Sequence, residues 1–332
     1  MILLALLPCL QTVSYANTRA SAGNALAVVY NRSDHESVAI AHYYRQRRRI
    51  PARNLVAVDL PTGKDSLTAQ EFSRLDAQLT KNLPLAVQFV LFAWSRPFRV
   101  ECNSLTAAFT LGFQPKLCAN GCTFSRVNPL YDSDIARPYD RLGMRPSMLL
   151  AASDLIAGRA LVDRGVQADA SQPTGTAYLL KGPDRNRAVR EPTYSPSRSL
   201  ARPNLKVAVI EGVSIKNRPD VMFYFSGAIR VPDIPSNRFL PGAIADHLTS
   251  SGGNLFGTAQ MSALRWLDGG ATASYGTVSE PCAYPQKFPS IPVLIRHYLA
   301  GEPLILAYWK SVAMPAQGLF VGEPMARPYA RN

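Results

Sequence analysis

Histidine and cysteine are scarce in this sequence, which has four histidines and five cysteines among 332 residues. A structural zinc site usually takes four such ligands in two closely spaced pairs. Cys118 and Cys122 are close enough to form one pair, but no second pair of cysteines or histidines lies near them. The sequence therefore predicts no metal site, and no cofactor is expected.

Long apolar runs are missing beyond the first residues, since no later run reaches the roughly 18 residues that a transmembrane helix needs. The sequence thus predicts no permanent membrane anchor. An apolar stretch opens the chain, and small residues follow at Ser14 and Ala16, which is typical of a secretory signal peptide cut after Ala16. We therefore expect residues 1–16 to be removed and the mature chain to be exported, to the periplasm or the extracellular space.

Acidic residues are few relative to basic ones, with 23 Asp and Glu against 36 Lys and Arg, so the net charge is +13. Four arginines cluster at Arg45 and at 47–49. Nucleic acid is not predicted as a partner, because the chain is expected to be exported. The cluster is either the solvated end of a helix or part of a surface attracted to an anionic envelope ligand.

Four cysteines remain after the predicted cleavage, namely Cys102, Cys118, Cys122 and Cys282. An even number of cysteines in an oxidising compartment favours disulfides. Four cysteines permit three connectivities, and the spacing does not choose among them.

Apolar runs and amphipathic segments alternate along the first hundred residues. Strands are predicted at 25–30, 54–59 and 86–94, with one helix after Asp34 and another at 67–83. This β-α-β-α-β order predicts an α/β fold with a doubly wound, mostly parallel sheet. Regular elements return later in the chain, as strands at 205–211, 221–225 and 271–275 and as helices at 260–267, 291–299 and 303–312.

The middle of the chain breaks this alternation. Residues 99–150 hold three cysteines and many turn formers, which predicts a disulfide-stapled insertion, and 183–203 is rich in Arg, Pro and Ser, as in an exposed loop. We therefore divide the mature chain into an N-terminal sheet part at 17–98, an insertion and connecting segment at 99–203, and a C-terminal α/β part at 204–332.

A candidate site lies in the C-terminal part, where seven glycines fall between Gly242 and Gly276. In open α/β sheets, ligands collect at the carboxyl ends of strands, so we expect the loops around His247 and Cys282 to face one cleft. These two residues can form a thiolate–imidazole pair. The alternatives are a histidine bonded to backbone and a disulfide cysteine. The residues predicted to bind a ligand beside them are Ser250, Gly252, Gly253, Gly276 and Glu280.

Several segments of the C-terminal part resemble the gingipain-type cysteine peptidases, whose core is the caspase-like α/β fold. They are Phe-Ser-Gly at 225–227, Leu-Pro-Gly-Ala at 240–243, Thr-Ser-Ser-Gly-Gly at 249–253, the glycine-rich strand at 269–276 and the stretch at 298–309. The whole mature chain is similar to a family of exported bacterial proteins of unknown function related to that fold. Arg-Arg-Ile-Pro-Ala-Arg-Asn-Leu at 48–55 and Ser-Tyr-Gly-Thr-Val-Ser-Glu-Pro-Cys at 274–282 carry this second resemblance.

The departures from the peptidase pattern concern both catalytic positions. In the peptidases, a strand like 221–225 leads into a His-Gly pair, but here Ser226-Gly227 is followed by Ala228. The stretch comparable to the catalytic cysteine, at 245–250, contains no cysteine. The resemblance therefore implies a degenerate scaffold that binds a peptide or an anionic envelope ligand. The alternative is a thiol hydrolase, a peptidase or amidase, that uses Cys282 and His247.

Overall fold

The structure is a computed structural model, and it describes residues 23–331. The predicted signal peptide lies outside these residues. Ten strands form one central sheet in the order β2-β1-β4-β7-β13-β12-β11-β10-β8-β9. The strands of this sheet are β1 Leu26–Asn31, β2 Leu55–Val58, β4 Phe89–Phe92, β7 Ser147–Leu149, β8 Gly175–Lys181, β9 Leu205–Glu211, β10 Val221–Gly227, β11 Phe239–Leu248, β12 Ala273–Thr277 and β13 Gly318–Gly322. A small second sheet contains β3 Ser66–Leu67, β5 Arg99–Val100 and β6 Asn103–Ser104.

The central sheet consists of two parallel halves that run in opposite directions. From β2 to β13 all neighbours are parallel, and from β12 to β9 they are parallel again. The two halves meet at β12 and β13, which are antiparallel. The predicted α/β class with a mostly parallel sheet is thus confirmed. Because the halves are opposed, their carboxyl ends lie at opposite edges of the sheet.

Nine helices accompany the sheet in the described part of the chain: α1 His35–Arg48, α2 Ala69–Asn82, α3 Leu105–Leu111, α4 Lys116–Ala119, α5 Pro138–Leu142, α6 Leu155–Ala168, α7 Leu264–Asp268, α8 Ile291–Leu299 and α9 Leu304–Lys310. The three longest helices each begin after a residue whose side chain caps the helix N-terminus, a role that Ser, Thr and Asp favour. Asp34 caps α1, Asp154 caps α6, and Thr68 forms a capping box with Glu71 at α2. None of the helices in residues 23–331 is long and apolar enough to cross a membrane.

Two predicted elements differ from the structure in the C-terminal part. The loop predicted around His247 is instead the end of β11, which continues to Leu248 and buries both Asp246 and His247. The helix predicted at 260–267 is shorter in the structure, where α7 covers only Leu264–Asp268. The side-chain carbonyl of Gln260 accepts hydrogen bonds from the Thr249 hydroxyl and the Ser251 N–H, and these bonds hold the chain before α7 in an irregular conformation.

The segment at 183–203 also differs from the predicted exposed loop. It folds into three short 3₁₀ helices, and Arg190, Tyr194 and Ser197 are buried. The segment at 99–203, predicted as an insertion with connecting chain, contributes β7 and β8 to the central sheet.

The arginine cluster at the end of α1 is only partly solvated. Nη2 of Arg48 lies 2.7 Å from Oε2 of the buried Glu323, and Nη1 lies 2.5 Å from Oδ2 of Asp169. The neighbouring Arg47 pairs with Asp163 at 2.7 Å. These carboxylates neutralise the two arginines internally, so less of the cluster's charge is available to an external anion than the sequence indicates.

Candidate functional site

The four cysteines of the described chain form two disulfides. Cys102 is bonded to Cys118, and Cys122 is bonded to Cys282. The nucleophile of a thiol hydrolase is a thiolate, which a disulfide cysteine cannot supply. The structure therefore does not support Cys282 as a catalytic residue and places it instead in the structural role that the sequence left as the alternative.

His247 lies on β11 and is only 2% exposed. Its Nδ1 accepts a 2.9 Å hydrogen bond from Nε1 of Trp266, and its Nε2 lies 3.0 Å from the carbonyl oxygen of Met261. Because an indole nitrogen only donates, Nδ1 carries no proton and Nε2 donates to Met261. Burial lowers the pKa of His247 to about 3. The imidazole is therefore neutral and engaged at both nitrogens, so it is not free to act as a general base.

The predicted glycines Gly252, Gly253 and Gly276 pack against one another. A Cβ on Gly276 would lie 2.3 Å from the carbonyl carbon of Gly252 and from the nitrogen of Gly253. The Gly253 N–H donates to the carbonyl oxygen of Thr277 at 2.9 Å. Close backbone approach thus accounts for Gly253 and Gly276, whereas a Cβ on Gly252 would make only ordinary contacts at 3.4 Å or more. The Gly253 N–H is already used within the chain.

Ser250 and Glu280 line one small pocket together with Cys282, with a volume of about 320 Å³. The Glu280 carboxylate accepts a 2.7 Å hydrogen bond from the Cys282 N–H. Arg187 closes another side of the pocket, where its guanidinium pairs with Asp184 at 2.5 Å and donates to Thr249 at 3.2 Å. The loops predicted to face one cleft do meet here, but their polar groups bond mostly to each other.

A buried ion pair closes the carboxyl edge of the second half-sheet. Nη1 of Arg190 lies 2.7 Å from Oδ1 of Asp246, and the two side chains are 3% and 1% exposed. Arg190 also donates to the carbonyl oxygen of Ser226 at 3.1 Å, and the Tyr308 hydroxyl donates to Asp246 at 3.1 Å. The pair fastens the segment after β8 across the ends of β10 and β11.

The same segment covers the point where strand order reverses, since β8 lies between β9 and β10. Such a switch point is the usual ligand crevice of an open α/β sheet. A Cβ on Gly227, at the end of β10, would lie 2.1 Å from the carbonyl oxygen of Arg187. The crevice of the second half is therefore filled by the protein's own backbone. Sequence reasoning missed this segment, because its Arg, Pro and Ser content is typical of exposed loops.

A second switch point lies in the first half-sheet, where β1 stands between β2 and β4. Here a cleft of about 470 Å³ opens at the carboxyl ends of β1, β4 and β7, beside the N-termini of α1 and α6. We call it the α1–α6 cleft. The residues that line it include Asp34, Glu36, Trp94, Arg96, Asp154 and Phe256. No predicted site residue lies in this cleft.

The connection between β11 and β12 supplies one wall of the α1–α6 cleft. Because these two strands are parallel, the chain must return from the carboxyl edge of β11 to the amino edge of β12, which is the edge where β1 and β4 end. Phe256 lies on this return path, and the guanidinium carbon of Arg96 stands 3.4 Å from the centroid of its ring. Arg96 and Phe256 follow strands of different half-sheets, so no pattern in the sequence predicts that they line the same cleft.

No protein-family model matches the chain. No curated protein matches it either. Among solved structures, the chain is similar to one described as the structure of a protease, with a TM-score of 0.47 and 9% identity over 91% of this chain and 78% of the other. It is also similar to the complex of Porphyromonas gingivalis RgpB pro- and mature domains, with a TM-score of 0.46 and 9% identity over 91% of this chain and 79% of the other.

Proposed function

We propose that the chain is a non-catalytic binding protein on a degenerate peptidase scaffold, as the resemblance of its sequence to the gingipain-type peptidases implies. The observation that carries this proposal is the state of the predicted catalytic pair. Cys282 is held in a disulfide, and both nitrogens of His247 are engaged inside the protein. With the crevice of the second half closed, we assign the ligand to the α1–α6 cleft, whose volume of about 470 Å³ exceeds the 320 Å³ of the pocket beside Ser250 and Glu280.

Export of the chain belongs to the same proposal. Two disulfides in one chain are typical of oxidising compartments such as the periplasm or the extracellular space. The ligand class expected from the sequence is a peptide or an anionic component of the cell envelope. The three carboxylates that line the α1–α6 cleft favour the peptide over the anion.

The experiment that tests this function separates a structural from a catalytic cysteine. The Cys122→Ser variant releases Cys282 as a thiol, and we measure its rate of alkylation against pH together with hydrolysis of a mixed fluorogenic peptide library. We expect no hydrolysis and an ordinary thiol pKa of about 8.5, because no free imidazole activates the sulfur. Cys118→Ser, which releases Cys102 from the other disulfide, is the matched control.

The opposite result is equally specific. Hydrolysis that appears in Cys122→Ser but not in Cys118→Ser, and that disappears on adding His247→Gln, would establish the thiol hydrolase and end the proposal of a non-catalytic protein.

A further inference from the structure

The walls of the α1–α6 cleft combine apolar and polar side chains. Its two aromatic residues are Phe256, which is partly exposed, and Trp94, which is buried. Ile40, Leu150 and Leu155 complete the apolar surface. A cleft of about 470 Å³ in which apolar surface meets convergent polar groups is typical of a small-ligand site.

The rim of the cleft carries negative charge, in contrast to the strongly basic chain. Asp34, Glu36 and Asp154 all line it. Oδ1 of Asp34 accepts from the N–H groups of α1, and Oδ1 of Asp154 accepts from α6. A carboxylate has about four acceptor sites, so both groups can still accept from a ligand.

The cationic groups at the cleft do not cancel this charge. The guanidinium of Arg96 lies on the ring of Phe256 and pairs with Asp65, whose carboxylate is 2.5 Å from its Nε. His35 is the other basic residue of the lining, and it is exposed at the start of α1. The N-termini of α1 and α6 add roughly half a positive charge each. Three carboxylates at the cleft still outweigh these helix ends, because the one arginine is already paired.

We propose that the α1–α6 cleft binds an organic cation with an apolar body, either a free aromatic amine or a basic side chain of a peptide. The apolar body packs between Phe256 and the aliphatic wall, and the cationic group points to the rim. This inference rests on the proposed binding function and assigns it a site and a ligand charge. Each exposed ion pair contributes only a modest free energy, so the apolar contact supplies most of the affinity.

A matched series of probes tests the charge assignment. Phenethylamine, phenethyl alcohol and phenylpropionate share an apolar body and differ in charge. By calorimetric titration, we expect the amine to bind more tightly than the alcohol, and the alcohol more tightly than the acid. The preference for the amine should weaken at high salt, because the rim carboxylates are exposed and screened.

Variants of the lining residues test whether the probes bind in the α1–α6 cleft. Asp34→Asn and Asp154→Asn remove charge and keep a good helix cap, since Asn caps as well as Asp. Each should weaken amine binding roughly two- to fivefold and leave alcohol binding unchanged. Phe256→Ala should weaken all three probes by roughly five- to tenfold. Glu211→Gln, an exposed carboxylate on β9 at the far end of the sheet, is the control and should change nothing.

The source of the cation is distinguished by a second arm with the blocked dipeptide acetyl-Phe-Lys-amide. Tighter binding of the dipeptide than of phenethylamine identifies a peptide ligand, and the reverse identifies a free amine. No binding of any probe, or a preference for phenylpropionate, would overturn the inference. The protein could hydrolyse peptides and still bind the amine in a way that the cleft variants weaken. That pair of results would overturn the proposed non-catalytic function but not the ligand assigned to the cleft.

Discussion

The indole N–H of Trp266 donates a 2.9 Å hydrogen bond to Nδ1 of His247. This one contact fixes the tautomer, because it requires Nδ1 to be an acceptor and so places the proton on Nε2, which donates to Met261. A histidine that must keep its Nδ1 lone pair for a buried donor resists protonation. Its surroundings therefore make it a structural residue rather than a base.

The first prediction concerns acid stability. The pKa of His247 is lowered to about 3 in the folded protein, against 6.5 when unfolded. Between these values the unfolded state binds a proton that the folded state does not, so the free energy of unfolding falls as pH drops below 6.5. At pH 3 the loss from this residue is on the order of 5 kcal/mol.

Chemical denaturation between pH 7 and pH 4 measures this effect. His247→Gln should lower stability at pH 7 by about 1–3 kcal/mol, because it leaves the buried indole without its acceptor. It should also flatten the dependence of stability on pH. His42→Gln, at an exposed position of α1, is the control for removing a histidine without removing a buried hydrogen bond. An equal slope in wild type and His247→Gln would show that His247 titrates normally.

The second prediction concerns the buried pair of Arg190 and Asp246. Removing one partner leaves an uncompensated charge in the interior, so Arg190→Met or Asp246→Asn should lower the free energy of unfolding by about 3–5 kcal/mol. The control is the surface pair of Arg32 and Asp59, with side chains 58% and 62% exposed, where Asp59→Asn should cost less than about 1 kcal/mol. If the segment at 183–203 were a mobile loop, both pairs would give the same small loss.

Arg190→Met has a second, local readout. Because Arg190 bonds both Asp246 and the Ser226 carbonyl, its loss should release the segment that covers the ends of β10 and β11. Amide hydrogen exchange at 184–200 should then accelerate more than exchange in β1 or β4. Uniform acceleration over the whole chain would mean that the variant only lowers global stability.

The sequence predicts those strands and helices whose hydrophobic pattern lies within the element itself. β9 and α8 fall at their predicted bounds, because each is a regular apolar pattern bounded by turn residues. β7 has three residues, too few to show a period, and it was missed. The direction of β13 is set by its neighbours β7 and β12, so no pattern within Gly318–Gly322 could reveal that it joins two opposed half-sheets.

The site was harder to predict than the fold for a related reason. Asp246 and His247 are polar residues that sequence reasoning assigns to a loop, and only partners far along the chain make their burial possible. Arg190 neutralises one and Trp266 satisfies the other. The glycines stand out in the sequence as candidate ligand-binding residues, but the contact of Gly276 with Gly252 and Gly253 depends on pairing that the sequence does not display.

The third prediction tests that backbone contact. A Cβ on Gly276 would lie 2.3 Å from backbone atoms of Gly252 and Gly253, and backbone cannot move aside as a flexible side chain can. Gly276→Ala should therefore destabilise the protein by several kcal/mol or prevent its expression in folded form. Gly143 at the end of α5 has φ of 67° and nothing within 4 Å of its added Cβ, so Gly143→Asn is the tolerated control. Thermal unfolding of the two variants decides between packing and flexibility as the role of Gly276.

The fourth prediction compares the two disulfides. Cys122–Cys282 joins residues separated by 160 positions, and Cys102–Cys118 joins residues separated by 16. Closing the longer loop removes more entropy from the unfolded chain, so the loop model assigns about 5 kcal/mol to the first bond and about 3 kcal/mol to the second. Replacing both cysteines of each bond by serine, one pair at a time, isolates these contributions.

Equilibrium unfolding of the two double-serine variants should show the larger loss for the pair Cys122 and Cys282. The expected difference of about 2 kcal/mol follows from loop length alone. A larger loss from removing Cys102–Cys118 would mean that the unfolded chain already holds residues 122 and 282 close together. Because the longer bond ties the segment after β12 to the stretch between α4 and α5, its loss should also loosen the pocket of Ser250 and Glu280, while the α1–α6 cleft at the opposite edge of the sheet keeps its ligand.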